Sequence, residues 1–325
     1  MTLIGLILAS VSIAFPREGA VLPSVGKCYV IGSAEKCVTN LTVNGAAVPI
    51  YKTGAWATRI DVAEGTNTLT VAYQSKYDNS SNEVTRIFRV SPRSRPKITS
   101  TNLAANVTTA RPPAKVWKKL PYAGDAARPH PFGKAPSEIT VVIDPGHGGV
   151  KDRGAISPHG GNEKDANLLL AKDVKSALEN LGYRVVMTRQ DDKAIALYDR
   201  ARTAHAMGAD AFISIHHNAP AVDGDAASIR YSAVYAWNEI GARLAQSIAL
   251  RMDAAQRPEL ASKGAIYANF AVTRSPEIPS CLVEADFLTH PAGEAAAWDR
   301  TARAKLGAAI AAGFDDWCKT EDSEQ

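Results

Sequence analysis

Apolar and polar positions change rhythm twice along the chain. Between residues 16 and 92, short runs such as 41–43, 56–62 and 68–73 alternate apolar with polar side chains, as strands with one buried face do. Asn44-Gly45 and Glu64-Gly65-Thr66-Asn67 lie between them and suit the positive-φ positions of tight turns. An all-β unit is expected there. From residue 138 the rhythm differs. Residues 139–143 are almost continuously apolar, the mark of a strand covered on both faces. Residues 163–181 carry Leu168, Leu169, Val174, Leu178 and Leu181 at helical spacing, and Gly182 follows as a stop. Strands at 183–188, 211–215 and 281–285 then alternate with helices at 196–207 and 240–252, before one long Ala-rich helix at 294–317. Such alternation predicts an α/β fold over 138–319, a mostly parallel sheet flanked by helices.

Residues 93–137 fit neither rhythm. Pro96, Pro112, Pro113, Pro121, Pro129, Pro131 and Pro136 interrupt any period, and nine Lys or Arg face a single acid, Asp125. Proline stiffens such a segment and like charges extend it, so a basic linker is expected. Charge is divided accordingly: residues 1–137 carry 17 basic and 7 acidic side chains, whereas 138–325 carry 20 and 26. This asymmetry points to an anionic partner for the N-terminal part, no nucleic acid being expected, with a solvated segment without a partner as the alternative.

The chain opens MTLIGLILASVSIA. Its apolar stretch is too short for a bilayer, which needs ~20 residues, and ends in small residues, so residues 1–14 are expected to be an export signal. A first β-strand is the competing expectation. No other segment has the length and apolarity to span a membrane. The four cysteines fall as Cys28 with Cys37 and Cys281 with Cys318, two disulfides in an exported protein or, for Cys281, a small buried hydrophobe.

Four polar side chains stand where strands end or a helix begins. His147 follows the first strand in Asp144-Pro145-Gly146-His147-Gly148-Gly149, Glu163 opens the first helix, His216 follows the run 212–215, and Glu284 follows 281–283. Ligand sites in open α/β sheets collect at the carboxyl ends of strands. Two imidazoles and a carboxylate suit Zn²⁺ better than Mg²⁺ or Ca²⁺, and leave one position for water. His217 adjoins His216, but strand alternation turns it to the opposite side. Asp144 and Asn218 are expected to orient the ligands. Asp286 and His290 are expected at the surface or in turns, and His130, His159 and His205 in solvent.

The segments VVIDPGHGGVKDRGA, GNEKDANLLLAKDVKSALENLGYRVVMTR, ADAFISIHHNA and CLVEADFLTH resemble, in order, the successive blocks of the zinc-dependent N-acetylmuramoyl-L-alanine amidases of the amidase 3 family. The resemblance implies His147, Glu163 and His216 as zinc ligands, Glu284 as the catalytic carboxylate, and peptidoglycan as substrate. The stretch between His216 and Glu284 is too short for the family's inserted regulatory helix, which implies an open groove. The family's middle segment is poorly matched at 226–236. Residues 16–92 are similar to small immunoglobulin-like modules of bacterial surface proteins. A non-catalytic wall-binding protein with this fold and a zinc carboxypeptidase acting on the stem peptide are the alternatives.

Overall fold

The computed structural model describes residues 10–92, 115–116 and 133–319, except 257 and 276. The N-terminal part is all-β. Strands β1 (Val11–Phe15), β3 (Lys27–Ala34) and β6 (Ala55–Asp61) form one antiparallel sheet in the order β1-β3-β6. Strands β2 (Val21–Leu22), β4 (Val38–Val43), β5 (Ala46–Ala47), β7 (Gly65–Ser75) and β8 (Ser81–Val90) form a second, in the order β2-β8-β7-β4-β5. Val30 and Trp56 from the first sheet share one core with Leu69, Val71 and Phe88 from the second. Strand β7 shows why: Leu69, Val71 and Tyr73 point inward while the residues between them are half-exposed.

The tail of the expected export signal forms β1. Val11, Ser12 and Ile13 pair with Ala34, Ser33 and Gly32, so removing residues 1–14 would delete all of this strand but Phe15. Residues 1–9 lie outside the described part. Most of the expected linker does too, but Lys115–Val116 forms a short strand, β9, on the edge of the C-terminal sheet.

That sheet has seven strands. β10 (Thr140–Pro145), β11 (Arg184–Met187), β12 (Ala211–Asn218) and β15 (Ser280–Phe287) run parallel in the order β11-β10-β12-β15. Beyond β15 the direction reverses: β13 (Ser232–Ala236) pairs antiparallel with β15 and parallel with β14 (Ser262–Tyr267), which pairs antiparallel with β9. Helices α1 (Glu163–Asn180), α3 (Glu239–Gln256) and α5 (Arg300–Lys319) cover one face through Leu170, Val174, Leu244, Ile248 and Phe314. Helix α2 (Leu197–Ala206) and a turn at Ala271–Thr273 lie on the other, over Val142 and Phe212. The expected single helix at 294–317 is in fact two. Helix α4 (Pro291–Trp298) stops at Asp299, which leaves helical geometry at ψ 119°. The Asp299 carboxylate then accepts from Ala302 N at 2.7 Å and caps α5. Among the described residues no helix is long and apolar enough to cross a membrane.

The expected disulfides are absent: all four cysteines are buried free thiols. Cys28, Cys281 and Cys318 sit within the hydrophobic cores as small apolar side chains. Burial pushes the Cys28 thiol up to about 12 and raises Cys281 as well.

The two parts meet along the outer face of β3. Tyr29 and Ile31 point away from the β core and pack, with Ala57, on Ala226 and Ala227 of the loop after β12. Tyr29 N also donates to Val222 O at 3.0 Å. The seam continues where Tyr51 meets His290 edge-on, with ring centroids 5.8 Å apart. Because Ile31 is fully buried in this seam, Ile31→Ala should lower stability by about 2–4 kcal/mol, measurable by chemical denaturation of the full chain. A loss below about 0.5 kcal/mol would mean that the β part and the loop pack independently.

Candidate metal centre

The carboxyl ends of β10 and β12 and the first residue of α1 converge on one point. His147 lies just past β10 in a left-handed conformation, φ 61°, which is uncommon for a residue with a Cβ. Glu163 begins α1, and its carboxylate is aimed back across the helix start. Ala155 N donates to Glu163 Oε2 at 2.8 Å. Glu163 Oε1 lies 3.2 Å from His147 Nε2 and 3.0 Å from His216 Nδ1, and takes a hydrogen bond from Asn167 Nδ2 at 3.1 Å. The two imidazoles meet at 76° with centroids 4.9 Å apart.

One ligand atom from each of His147, Glu163 and His216 falls within a 4.8 Å span. A tetrahedral zinc with bonds of about 2.0–2.1 Å would hold such atoms about 3.3 Å apart, and the two N···O separations are 3.2 and 3.0 Å. Donor chemistry and spacing therefore both fit zinc. His147 Nδ1 is engaged by Asp152 Oδ1 at 2.5 Å, which leaves Nε2 facing the centre and fixes the ring plane.

The electrostatics are those of a gathered, partly desolvated charge cluster. Burial opposes ionisation of Glu163, yet the hydrogen bonds and charges of His147 and His216 outweigh it and hold the carboxyl well below its usual range. For His147, burial opposes the charge, while Glu163 and then Asp152 more than compensate and raise it to about 9. Glu284 lies on β15 directly beside His216 on β12. Its Oε2 is buried without a hydrogen-bond partner. Burial, and then the charge of Glu163, push its carboxyl well above the ordinary value.

Sequence reasoning passed over the parts that hold the loop. Arg189 and Arg200 are both buried. Arg200 donates to Asp144 Oδ1, Pro145 O and His147 O at 2.8, 2.9 and 2.8 Å. Arg189 donates to Pro145 O, Gly146 O and Lys164 O at 2.9, 2.9 and 2.7 Å. Together they bind the backbone of the strained turn to the start of α1. Arginine is the only side chain with enough fixed donors for this, but nothing in its spacing along the chain announces the role. Asp144 serves Arg200, Thr188 and Ser214 rather than a candidate ligand. Asn218 turns its side-chain oxygen to Ala219 N.

Two expectations are corrected. Asp286 is buried, with Arg230 bound to its carboxylate by contacts of 2.7–3.1 Å. His290 is buried too, and its Nδ1 accepts from Ala292 N at the start of α4. Asp286 tolerates burial because Arg230, distant in sequence, neutralises it, and His290 because the start of α4 bonds its ring and Tyr51 packs against it. His159 pairs with Glu294 at 2.8 Å and is only half-exposed. His205 approaches Ser275 and Glu277, and His130 lies outside the described residues. His217 is turned away from the centre and buried on the α1 side. The loop between β12 and β13 contains no helix.

Gly146 is a steric requirement of this arrangement: a Cβ there would come within 2.1 Å of the His216 ring. Gly146→Ala should therefore displace His216 and weaken zinc retention at least ten-fold, measured by competition with a chromophoric chelator. Retention within two-fold of the parent would show that the ring has room to move.

A family model described as N-acetylmuramoyl-L-alanine amidase, Amidase_3, matches residues 141–316. The amidase AmiC of Neisseria meningitidis serogroup B is 33% identical over 224 residues, which cover 55% of this chain and 53% of that protein. AmiA of Escherichia coli K12 is 31% identical over 240 residues, 59% of this chain and 80% of that one. The chain thus spans about half the length of the first relative and most of the second. Among solved structures, the amidase AmiC2 of Nostoc punctiforme is 33% identical, with a TM-score of 0.52, covering 55% of this chain and 97% of that one. The catalytic domain of the amidase CwlV from Bacillus (Paenibacillus) polymyxa is 30% identical, with a TM-score of 0.51, over 55% and 97%. With more than half of its residues matched by the family model, the chain belongs to the Amidase_3 family of N-acetylmuramoyl-L-alanine amidases.

Proposed function

We propose that this protein hydrolyses peptidoglycan at the amide joining the lactyl group of N-acetylmuramic acid to L-alanine, with zinc held by His147, Glu163 and His216 and with Glu284 as the catalytic carboxylate. The observation that carries the proposal is the convergence of two imidazole nitrogens on one carboxylate oxygen at 3.2 and 3.0 Å, with a buried, partnerless carboxyl oxygen of Glu284 on the adjacent strand. Family membership supplies the substrate class, and zinc dependence is a general property of that family.

Zinc in this centre would lower the pKa of a bound water towards ~7 and polarise the lactyl carbonyl. Every other part is played by side chains. Glu284, unpaired and with its proton affinity raised by burial and by Glu163, is suited to take a proton from the attacking water. It then delivers that proton to the departing alanine nitrogen, since an amine leaves poorly unless protonated. Asp152 holds the His147 ring, while Arg189 and Arg200 hold the loop that carries it. No serine or cysteine nucleophile is needed, so hydrolysis is direct.

The N-terminal β part is assigned to residues 16–92 as an immunoglobulin-like accessory module, with β1 added to its edge. Residues 93–137 act as a basic arm for anionic envelope polymers, and 138–319 as the catalytic unit. A polymeric wall substrate places the protein in the cell envelope, outside the cytoplasmic membrane. The two-sheet core and the nine basic residues of the arm support this assignment.

Product analysis tests the reaction. Purified wall digested with the protein should yield free lactyl carboxyl groups and new N-terminal L-alanine. Glu284→Gln should keep its zinc and lose turnover by about 10²–10⁴-fold. Release of a C-terminal amino acid with the glycan still attached would assign the site to a carboxypeptidase, and bound wall without new termini would assign it to a binding protein. A separate measurement tests the arm. Raising salt from about 0.05 to 0.5 M should weaken wall binding several-fold while hydrolysis of soluble fragments changes little; unchanged binding would reduce the arm to a spacer.

A further inference from the structure

Behind the metal centre, on the side of the sheet to which His217 turns, lies a cavity of about 410 Å³. That is the size of a small-molecule pocket. It sits between the ends of β12 and β15 and helices α1, α3, α4 and α5, and none of His147, Glu163, His216 and Glu284 lines it. Its walls are largely alanine and leucine, and exposed Glu259, Ala302 and Lys305 mark its mouth.

Two polar atoms within this apolar wall are left as bare acceptors. The first is His217 Nε2. Asn167 Nδ2 donates to Glu163 Oε1 and to Gly146 O at 3.1 and 3.3 Å, so its Oδ1 must face His217 Nδ1, 2.9 Å away. An amide oxygen only accepts; the proton of His217 therefore resides on Nδ1, and Nε2 carries a free lone pair. The second is Gln256 Oε1. Its amide nitrogen is spent on Ala285 O at 3.1 Å, and the oxygen is buried without a partner. The two guanidiniums of the lining are already matched, Arg230 with Asp286 and Arg303 with Asp173, while Glu259 and Lys305 stand exposed at the mouth. Deeper in the cavity the two atoms left over are lone pairs, which call for a hydrogen-bond donor rather than a further acceptor.

We propose that this cavity is a second ligand site, which takes a neutral small molecule with an apolar body and one or two O–H or N–H donors directed at His217 Nε2 and Gln256 Oε1. The occupant is coupled to the centre. A donor on Nε2 locks the proton on Nδ1, which holds Asn167 in the orientation that bonds the Glu163 carboxylate. By reciprocity, zinc at the centre and a molecule in the cavity each favour the other. The site itself does not depend on the amidase reading, because its occupancy is measured without turnover.

The test uses the full chain labelled with ¹⁵N-histidine and titrated with benzyl alcohol, or with ethylbenzene, which has the same shape and no donor. Benzyl alcohol should shift the His217 Nε2 resonance saturably and bind about five- to ten-fold more tightly than ethylbenzene. Ala255→Leu and Ala297→Leu, which fill the cavity from two helices, should each abolish that shift while wall hydrolysis stays within two-fold of the parent. Saturating benzyl alcohol should tighten zinc about five-fold in chelator competition. Equal affinity for both probes, no saturation up to the solubility limit, or binding that survives in both filled variants would overturn the site. An unchanged zinc affinity would overturn the coupling.

Discussion

A buried carboxylate, Glu163, is the constraint on which the C-terminal half turns. Taking such a charge out of water costs several kcal/mol, and only convergent donors offset it. Here the donors come from far apart in the sequence: Ala155 from the loop ahead of α1, Asn167 one turn along the helix, His147 after β10 and His216 at the end of β12. Bringing them to one carboxylate requires a sharp backbone turn at His147, two buried arginines to hold that turn, and glycine where the rings pass closest. The centre is thus an outcome of satisfying one charge. The same demand that a buried anion makes on its surroundings leaves it suited to share a cation.

The strand and helix rhythm exposed most of this in advance. The first three parallel strands, α1 and the ends where the chemistry sits all fall where the apolar runs place them, because fully covered strands and amphipathic helices write their burial into local sequence. What the rhythm concealed has physical reasons. β13 is buried along its whole length and β14 is interrupted by Gly264, so neither shows an alternation of its own. The Ala-rich stretch at the C-terminus has no apolar break at Asp299; only the cap interaction divides it. Asp286 and His290 look like surface residues because their burial depends on Arg230 and Tyr51, which are distant in sequence. Arg189 and Arg200 escaped notice because they bind backbone oxygens, which carry no residue identity.

The β part is more than an appendage. Its outer face covers the loop that leaves β12 two residues after His216 and returns through Arg230 to Asp286, two residues beyond Glu284. The solved structures of AmiC2 and CwlV each cover 55% of this chain, and the family model begins at residue 141. In this protein, the loop beside the rim is therefore backed by residues that lie outside the matched family region. Tyr29 and Ile31 are spent on this contact rather than on the core of their own sheets.

The four unpaired, buried thiols carry a practical consequence. A structure stapled by disulfides would depend on an oxidising compartment, whereas this one holds together through packing, hydrogen bonds and buried ion pairs without them. Shielded by burial, and in Cys28 and Cys281 also held protonated by it, the sulfurs are closed to alkylating dyes as long as the fold is intact. Their labelling rate is accordingly a built-in gauge of how often each half of the molecule opens.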